Sequence, residues 1–284
     1  MSKVLFRRIA NSIHSGTPET RLTREKLSEL LSIHPENIIP TLPRPPAASP
    51  AAVLISFFHH PQHPMYPSML FTVRSNSMRS HTGQVSFPGG RLDPDVDKND
   101  LVTCALRETM EEIGIQSSSI DVLTPALNPV VSRDGRSVAH PVVAYLNWTP
   151  SPSSSPSSRI LAAKGWPDSN GLYINPDEVD LVFYMTLDDL LSSDTTRRRR
   201  MRYPSKFAKP GPLIHEWRVP DDVQMYLSEQ RSKNGSNARM KESNELWIWG
   251  LTSFMVECIL RRILHPDTIR EQLDDAIPIL GPRL

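Results

Sequence analysis

Residues 101–114, LVTCALRETMEEIG, narrow the possible folds more than any other stretch of the chain. Val102, Ala105, Leu106, Met110 and Ile113 recur at helical spacing, which predicts one apolar stripe packed on a core. Asn99 or Asp100 can cap the start, and Gly114 supplies a left-handed stop. The other side is acidic: Glu108, Glu111 and Glu112 stand at i,i+3 and i,i+4, on neighbouring ridges where like charges repel. As a solvated face, this arrangement gains only about 0.3–0.5 kcal/mol from an Arg107–Glu111 pair. A hard divalent cation, Mg²⁺ or Mn²⁺, cancels the repulsion and favours oxygen ligands on a rigid element. The preceding turn, Phe87-Pro88-Gly89-Gly90, lets backbone approach a ligand and leaves room for a phosphate.

Around this helix lie segments with strand character: AAVLISFF, SMLFTVR, DVLTPAL, HPVVAYLNW and VDLVFYMTL. Further helical signals fall near 187–191 and 245–264. Strands interrupted by a few helices, without regular alternation, predict an α+β sandwich. The 284 residues suit one elaborated domain. Proline, used 27 times, marks its limits. TLPRPPAASP reads as an extended linker closing an N-terminal helical extension, 1–48, ahead of a main domain at 49–275. TPSPSSSPSS opens a low-complexity insert at about 149–165, an irregular insert spans about 192–243, and 276–284 form a tail. Within the second insert, TTRRRRMR reads as a solvated loop or as a contact for an anionic ligand.

Composition excludes several classes. With 32 Lys+Arg against 31 Asp+Glu, no global field points to nucleic acid or a membrane surface, so any polyanion site is local and no nucleic-acid partner is expected. Two cysteines, Cys104 and Cys258, are too few for a disulfide framework or a four-cysteine zinc site, and suit a reducing compartment. The longest apolar run, LWIWGLTSFMVECIL, carries Glu257 and is short for a membrane span, so it reads as a buried helix. The basic amphipathic start, MSKVLFRRIANSIHSG, suits a mitochondrial transit segment or an ordinary first helix. The last residues, GPRL, loosely resemble a peroxisomal signal. The address expected is therefore peroxisomal or mitochondrial, otherwise cytoplasmic.

The run Arg107-Glu108-Thr109-Met110-Glu111-Glu112-Ile113-Gly114-Ile115 resembles the second half of the Nudix box. MLFTVRSNSMRSHTGQVSFPGG, at 69–90, resembles the upstream signature of the coenzyme A diphosphatases in that superfamily. The resemblance implies an α/β/α sandwich with a mixed sheet and a metal-dependent enzyme. Its reaction would split the pyrophosphate bond of coenzyme A or acyl-CoA to 3′-phospho-AMP and 4′-phosphopantetheine or its acyl derivative. It further implies Glu108, Glu111 and Glu112 as ligands of Mg²⁺ or Mn²⁺, with the Gly90 carbonyl as a further ligand. Glu108 and Glu111 would be catalytic, with Arg107 orienting a carboxylate, while Arg74, Arg79, Gln84 and Gly89 would bind substrate. Between Gly90 and Arg107 the chain runs 17 positions where the pattern has 14. The glutamate expected in that span falls on Asn99, leaving Asp93, Asp95, Asp97 and Asp100 as nearby acids that can take its place. Hydrolysis of oxidised nucleoside triphosphates, or a non-catalytic ligand-binding module, are the alternative readings.

Overall fold

Alternation along the strands divides the apolar residues between the two faces of one mixed sheet. The computed structural model describes residues 22–32, 34–39, 49–64, 66–78, 80–132, 137–150, 158–166, 171–192, 194, 196–202, 213–233 and 245–264. The main strands are β1 (Ser49–Phe58), β2 (Ser68–Arg74), β5 (Ile120–Val122), β7 (Ser137–Leu146), β8 (Ile160–Ala163) and β9 (Val179–Thr186), hydrogen-bonded in the order β5-β7-β1-β2-β9-β8. Three short strands join them: β3 (Val85–Ser86) on β2, β4 (Gly89–Arg91) on β1 and β6 (Val130–Val131) on β7. β1 and β7 run parallel, with Ser49 opposite Ser137, and the other pairings in this sheet are antiparallel.

Successive residues such as Leu70 and Phe71, or Val182 and Phe183, enter opposite core layers. One layer holds the Cys104, Ala105 and Ile113 side chains of a helix at Leu101–Ile113. The other holds Leu27 and Leu31 from α1 (Arg24–Ser32) and Phe254, Met255 and Ile259 from a helix at Gly250–Leu264. Among the described residues the α-helices in chain order are α1, α2 (Leu101–Ile113), α3 (Leu187–Leu191), α4 (Asp221–Lys233) and α5 (Gly250–Leu264). Helices thus cover both faces, and the expected α+β sandwich is what the chain forms. Because α1 buries Leu27 and Leu31 in the common core, the N-terminal extension is partly built into the sandwich.

Five readings of the sequence change. The irregular insert at about 192–243 contains β10 (Arg198–Arg202), β11 (Leu213–Arg218) and α4; with β12 (Trp247–Ile248) the strands form a second, antiparallel sheet. The arginine run is therefore a strand, steadied where Arg199 donates to Glu216 at 2.8 Å and stacks on Trp247 at 4.1 Å. Residues 245–249 belong to β12 and its flanks, and α5 starts only at Gly250. The low-complexity insert ends in β8, and DVLTPAL is a strand only in its first residues. The transit-like start, residues 41–48 of the Pro-rich linker and the final tail lie outside the described residues, while the linker's last two residues, Ser49 and Pro50, open β1.

Candidate active site

Asp100 caps α2: its carboxylate accepts from the Val102 and Thr103 backbone N–H groups at 3.4 and 2.8 Å. The buried face differs from the expected stripe. Cys104, Ala105, Thr109, Glu112 and Ile113 are buried, while Met110 is exposed. Thr109 tolerates this because its hydroxyl donates to the Ala105 carbonyl at 2.7 Å. The buried stripe is thereby turned toward Glu112, so one carboxylate of the acidic face sits inside the protein.

Arg107 organises the remainder. Its Nε and Nη2 donate to the two oxygens of Asp97 at 2.7 and 3.0 Å, a bidentate pair with a carboxylate that is 0% exposed. Nη1 meets Glu108 at 2.9 Å and Glu111 at 2.8 Å, and Nη2 reaches the Arg91 carbonyl at 3.3 Å. The hydrogen bond from Arg107 is the main reason the Asp97 carboxyl lies below the ordinary range, and the same bond raises the guanidinium pKa. Of the four acids in the extended loop, Asp97 is thus the one facing Arg107. Asp93 shapes the loop by accepting from Asp95 and Val96 N–H, and Asp97 accepts from Asp93 N–H at 2.8 Å. Asn99, where the pattern places glutamate, occupies a left-handed turn with Lys98.

Glu112 is 3% exposed and accepts the Gly89 N–H at 3.2 Å, with Arg74 Nη1 at 4.0 Å. Burial pushes its carboxyl up to about 8, against the opposing charge of Arg74. Burial also raises Glu108, which Arg107 partly offsets. Gly89, at φ 150, packs so closely on β1 that an added Cβ would lie 2.6 Å from Val53 Cα. An added Cβ on Gly90 would overlap the Glu108 carboxylate. The double glycine therefore lets β4 and α2 meet at the acidic face.

Arg74 ends β2, and its Nε is buried without a hydrogen-bond partner. Gln84 is not brought to the carboxylates; its amide oxygen pairs with the His81 ring at 3.1 Å, and its carbonyl accepts the Arg74 N–H, closing the β2–β3 connection. Gly89 braces Glu112. The Gly90 carbonyl receives a long contact from the Cys104 thiol at 3.7 Å. Arg79 lies outside the described residues. Sequence reasoning missed Glu178: it lies near enough for its charge to raise both Glu108 and Glu112, on a loop whose Asn175 N–H bonds the Glu112 carbonyl and whose Glu178 carbonyl accepts the Ser75 N–H. Its acidic neighbours in NPDEVD were the available signal.

Among the described residues, no three His, Cys, Asp or Glu groups are gathered closely enough to hold a metal ion. Glu108 and Glu111 are turned to Arg107, and Glu112 to Gly89. The donor chemistry nevertheless fits a hard divalent cation: Glu108, Glu111 and Glu112 are all-oxygen donors on one rigid helix, and the Glu108 carboxylate packs so closely on Gly90 that only a residue without a Cβ fits there.

The NUDIX domain model matches residues 50–204. Nudix hydrolase 3 of Caenorhabditis elegans is 30% identical over 207 residues, covering 72% of this chain and 70% of that protein. An uncharacterized Nudix hydrolase, NudL, of Yersinia enterocolitica is 43% identical over 213 residues, covering 75% and 80%. Among solved structures, the NUDIX domain of Shewanella oneidensis NrtR complexed with ADP ribose aligns over 51% of this chain and 77% of that one, at 21% identity and TM-score 0.33. Nudix hydrolases generally use divalent metals such as Mg²⁺ or Mn²⁺. The chain belongs to the Nudix family, as a hydrolase acting on phosphorus-containing anhydrides.

Proposed function

We propose that this hydrolase splits the pyrophosphate bond of coenzyme A or acyl-CoA, releasing 3′-phospho-AMP and 4′-phosphopantetheine or its acyl derivative. Arg74 carries the reading. It lies within 69–90, the segment resembling the coenzyme A diphosphatase signature, and its unpartnered Nε and nearby position to Glu112 set a planar donor where a phosphate oxygen would sit.

A pyrophosphate resists attack because its anionic oxygens repel nucleophiles. Mg²⁺ or Mn²⁺, held by Glu108, Glu111 and Glu112, would neutralise that charge and lower the pKa of water. Arg107 fixes the directions of Glu108 and Glu111. The Gly89 N–H and Arg74 hold Glu112, and Arg74 donates to the substrate. Glu111, the most exposed of the three, takes the proton from water.

The test is mass spectrometry of products after incubating coenzyme A, acetyl-CoA, ADP-ribose, NADH and oxidised dGTP with the enzyme and Mg²⁺. Coenzyme A or acetyl-CoA should give the highest kcat/KM, with the two fragments named above. Preference for oxidised dGTP, or turnover of none of the five, overturns the proposal. The compartment we propose is the peroxisome or mitochondrion. Cytosolic fluorescence from both N- and C-terminally tagged proteins would contradict it.

A further inference from the structure

We propose that the cleft between Trp166 and Tyr173 seats the nucleobase of the substrate. This rests on the hydrolysis of a nucleoside-diphosphate anhydride, and not on coenzyme A in particular. The cleft is a cavity of about 70 Å³ lined by Ala162, Gly165, Trp166, Leu172, Tyr173 and Ile174. Two large aromatic residues stand open in it, Trp166 at 43% and Tyr173 at 61% exposure. The Trp166 indole is steadied by Tyr226, with ring centroids 5.7 Å apart and planes at 86°, and hydrogen-bonds the Tyr226 side chain.

The cleft belongs to the same end of the sheet as the carboxylates. Arg74 pairs with Val179, Val73 with Leu181, and Leu181 with Ala163, so β2 and β8 end beside the start of β9. Two strand spacings, roughly 10 Å, separate Arg74 from the cleft wall, a span that a ribose and its phosphates bridge. Tyr173 also abuts the end of α2, where an added Cβ on Gly114 would lie 2.9 Å from its backbone nitrogen. Two residues on, the Asn175 N–H bonds the carbonyl of Glu112 at 2.9 Å. One wall of the cleft is therefore tied directly to a carboxylate-bearing residue. A flat, weakly polar ring attached to an anionic chain matches both halves: aromatic faces take the ring, and Arg74 takes phosphate.

Binding of AMP and of ribose 5-phosphate to the full chain, measured by calorimetry without metal, tests this on wild type, Trp166→Ala, Trp166→Phe and Tyr173→Ala. Loss of an aromatic partner should weaken AMP roughly ten- to a hundredfold while leaving ribose 5-phosphate unchanged, and Trp166→Phe should retain most of the affinity. Unchanged AMP affinity in both alanine variants, equal losses for the two ligands, or no AMP binding to wild type would each overturn the proposal. If the variants lose AMP but coenzyme A is not hydrolysed, only the choice of substrate fails. If coenzyme A is hydrolysed with an unaltered KM in the variants, only the base site fails.

Discussion

Arg107 contacts a carboxylate in the interior and two on the acidic face of α2, so one side chain links the stability of the loop to the geometry of the proposed site. Removing its buried partner should therefore show in both. Asp97→Ala is expected to cost about 3–5 kcal/mol, the range for breaking a buried pair from one side, and to lower activity in the molecules that remain folded. Urea unfolding alongside kcat checks this; an unchanged midpoint would mean that Arg107 does not depend on Asp97. Glu112 gives the opposite sign. Its carboxyl ionises near 8 in the folded protein and near 4.5 when exposed, so the folded state holds the proton more tightly. That contribution is complete below about 4.5 and is lost as pH rises toward 8. In metal-free protein, Glu112→Gln should gain on wild type in stability across this window, by a few kcal/mol in order of magnitude. A constant gap from pH 5 to pH 8 contradicts it.

At the scale of elements, the two glycines of β4 separate folding from catalysis. Gly89→Ala places Cβ against the β1 backbone and should lower the melting temperature strongly. Gly90→Ala places it against the flexible end of Glu108, so the fold should persist while kcat falls. Thermal melts with initial rates for both variants check the split; equal effects would show that the turn acts as a single structural unit. The main strands and α2 were legible because their apolar periods are long and regular. β10 was not, since four consecutive arginines carry no alternating apolar signal; its pairing with β11 and the Arg199–Trp247 stack decide its form. Met110 was misread for a related reason. Periodicity fixes a stripe only to within a residue or so, and the buried stripe runs through Thr109 and Glu112 in place of Met110. Asp97 was one of four acids in sequence, and only the turn through Lys98 and Asn99 selects it.

Across the whole molecule, the carboxylates occupy one end of the mixed sheet, while the larger core layer lies on its opposite face. The second sheet is fastened to that layer through Trp217, which is buried and donates its indole N–H to the Leu190 carbonyl at 2.8 Å. Trp217→Ala should cost about 3–5 kcal/mol while leaving KM unchanged at temperatures where the variant is folded. Family membership was legible from two adjacent motifs, whereas the cleft at Trp166 and Tyr173 was not, because its residues meet only after β8 and β9 pair. In the proposed mechanism an exposed carboxylate on an otherwise intact sandwich carries the hydrolysis. Glu111 is 52% exposed, so its replacement removes little packing. The most direct measurement is kcat per folded molecule for Glu111→Gln with coenzyme A and Mg²⁺, alongside its melting temperature. Glu111→Gln should lose at least about a hundredfold in kcat with the melting temperature unchanged or raised. Loss of folding with activity per folded molecule intact would contradict it.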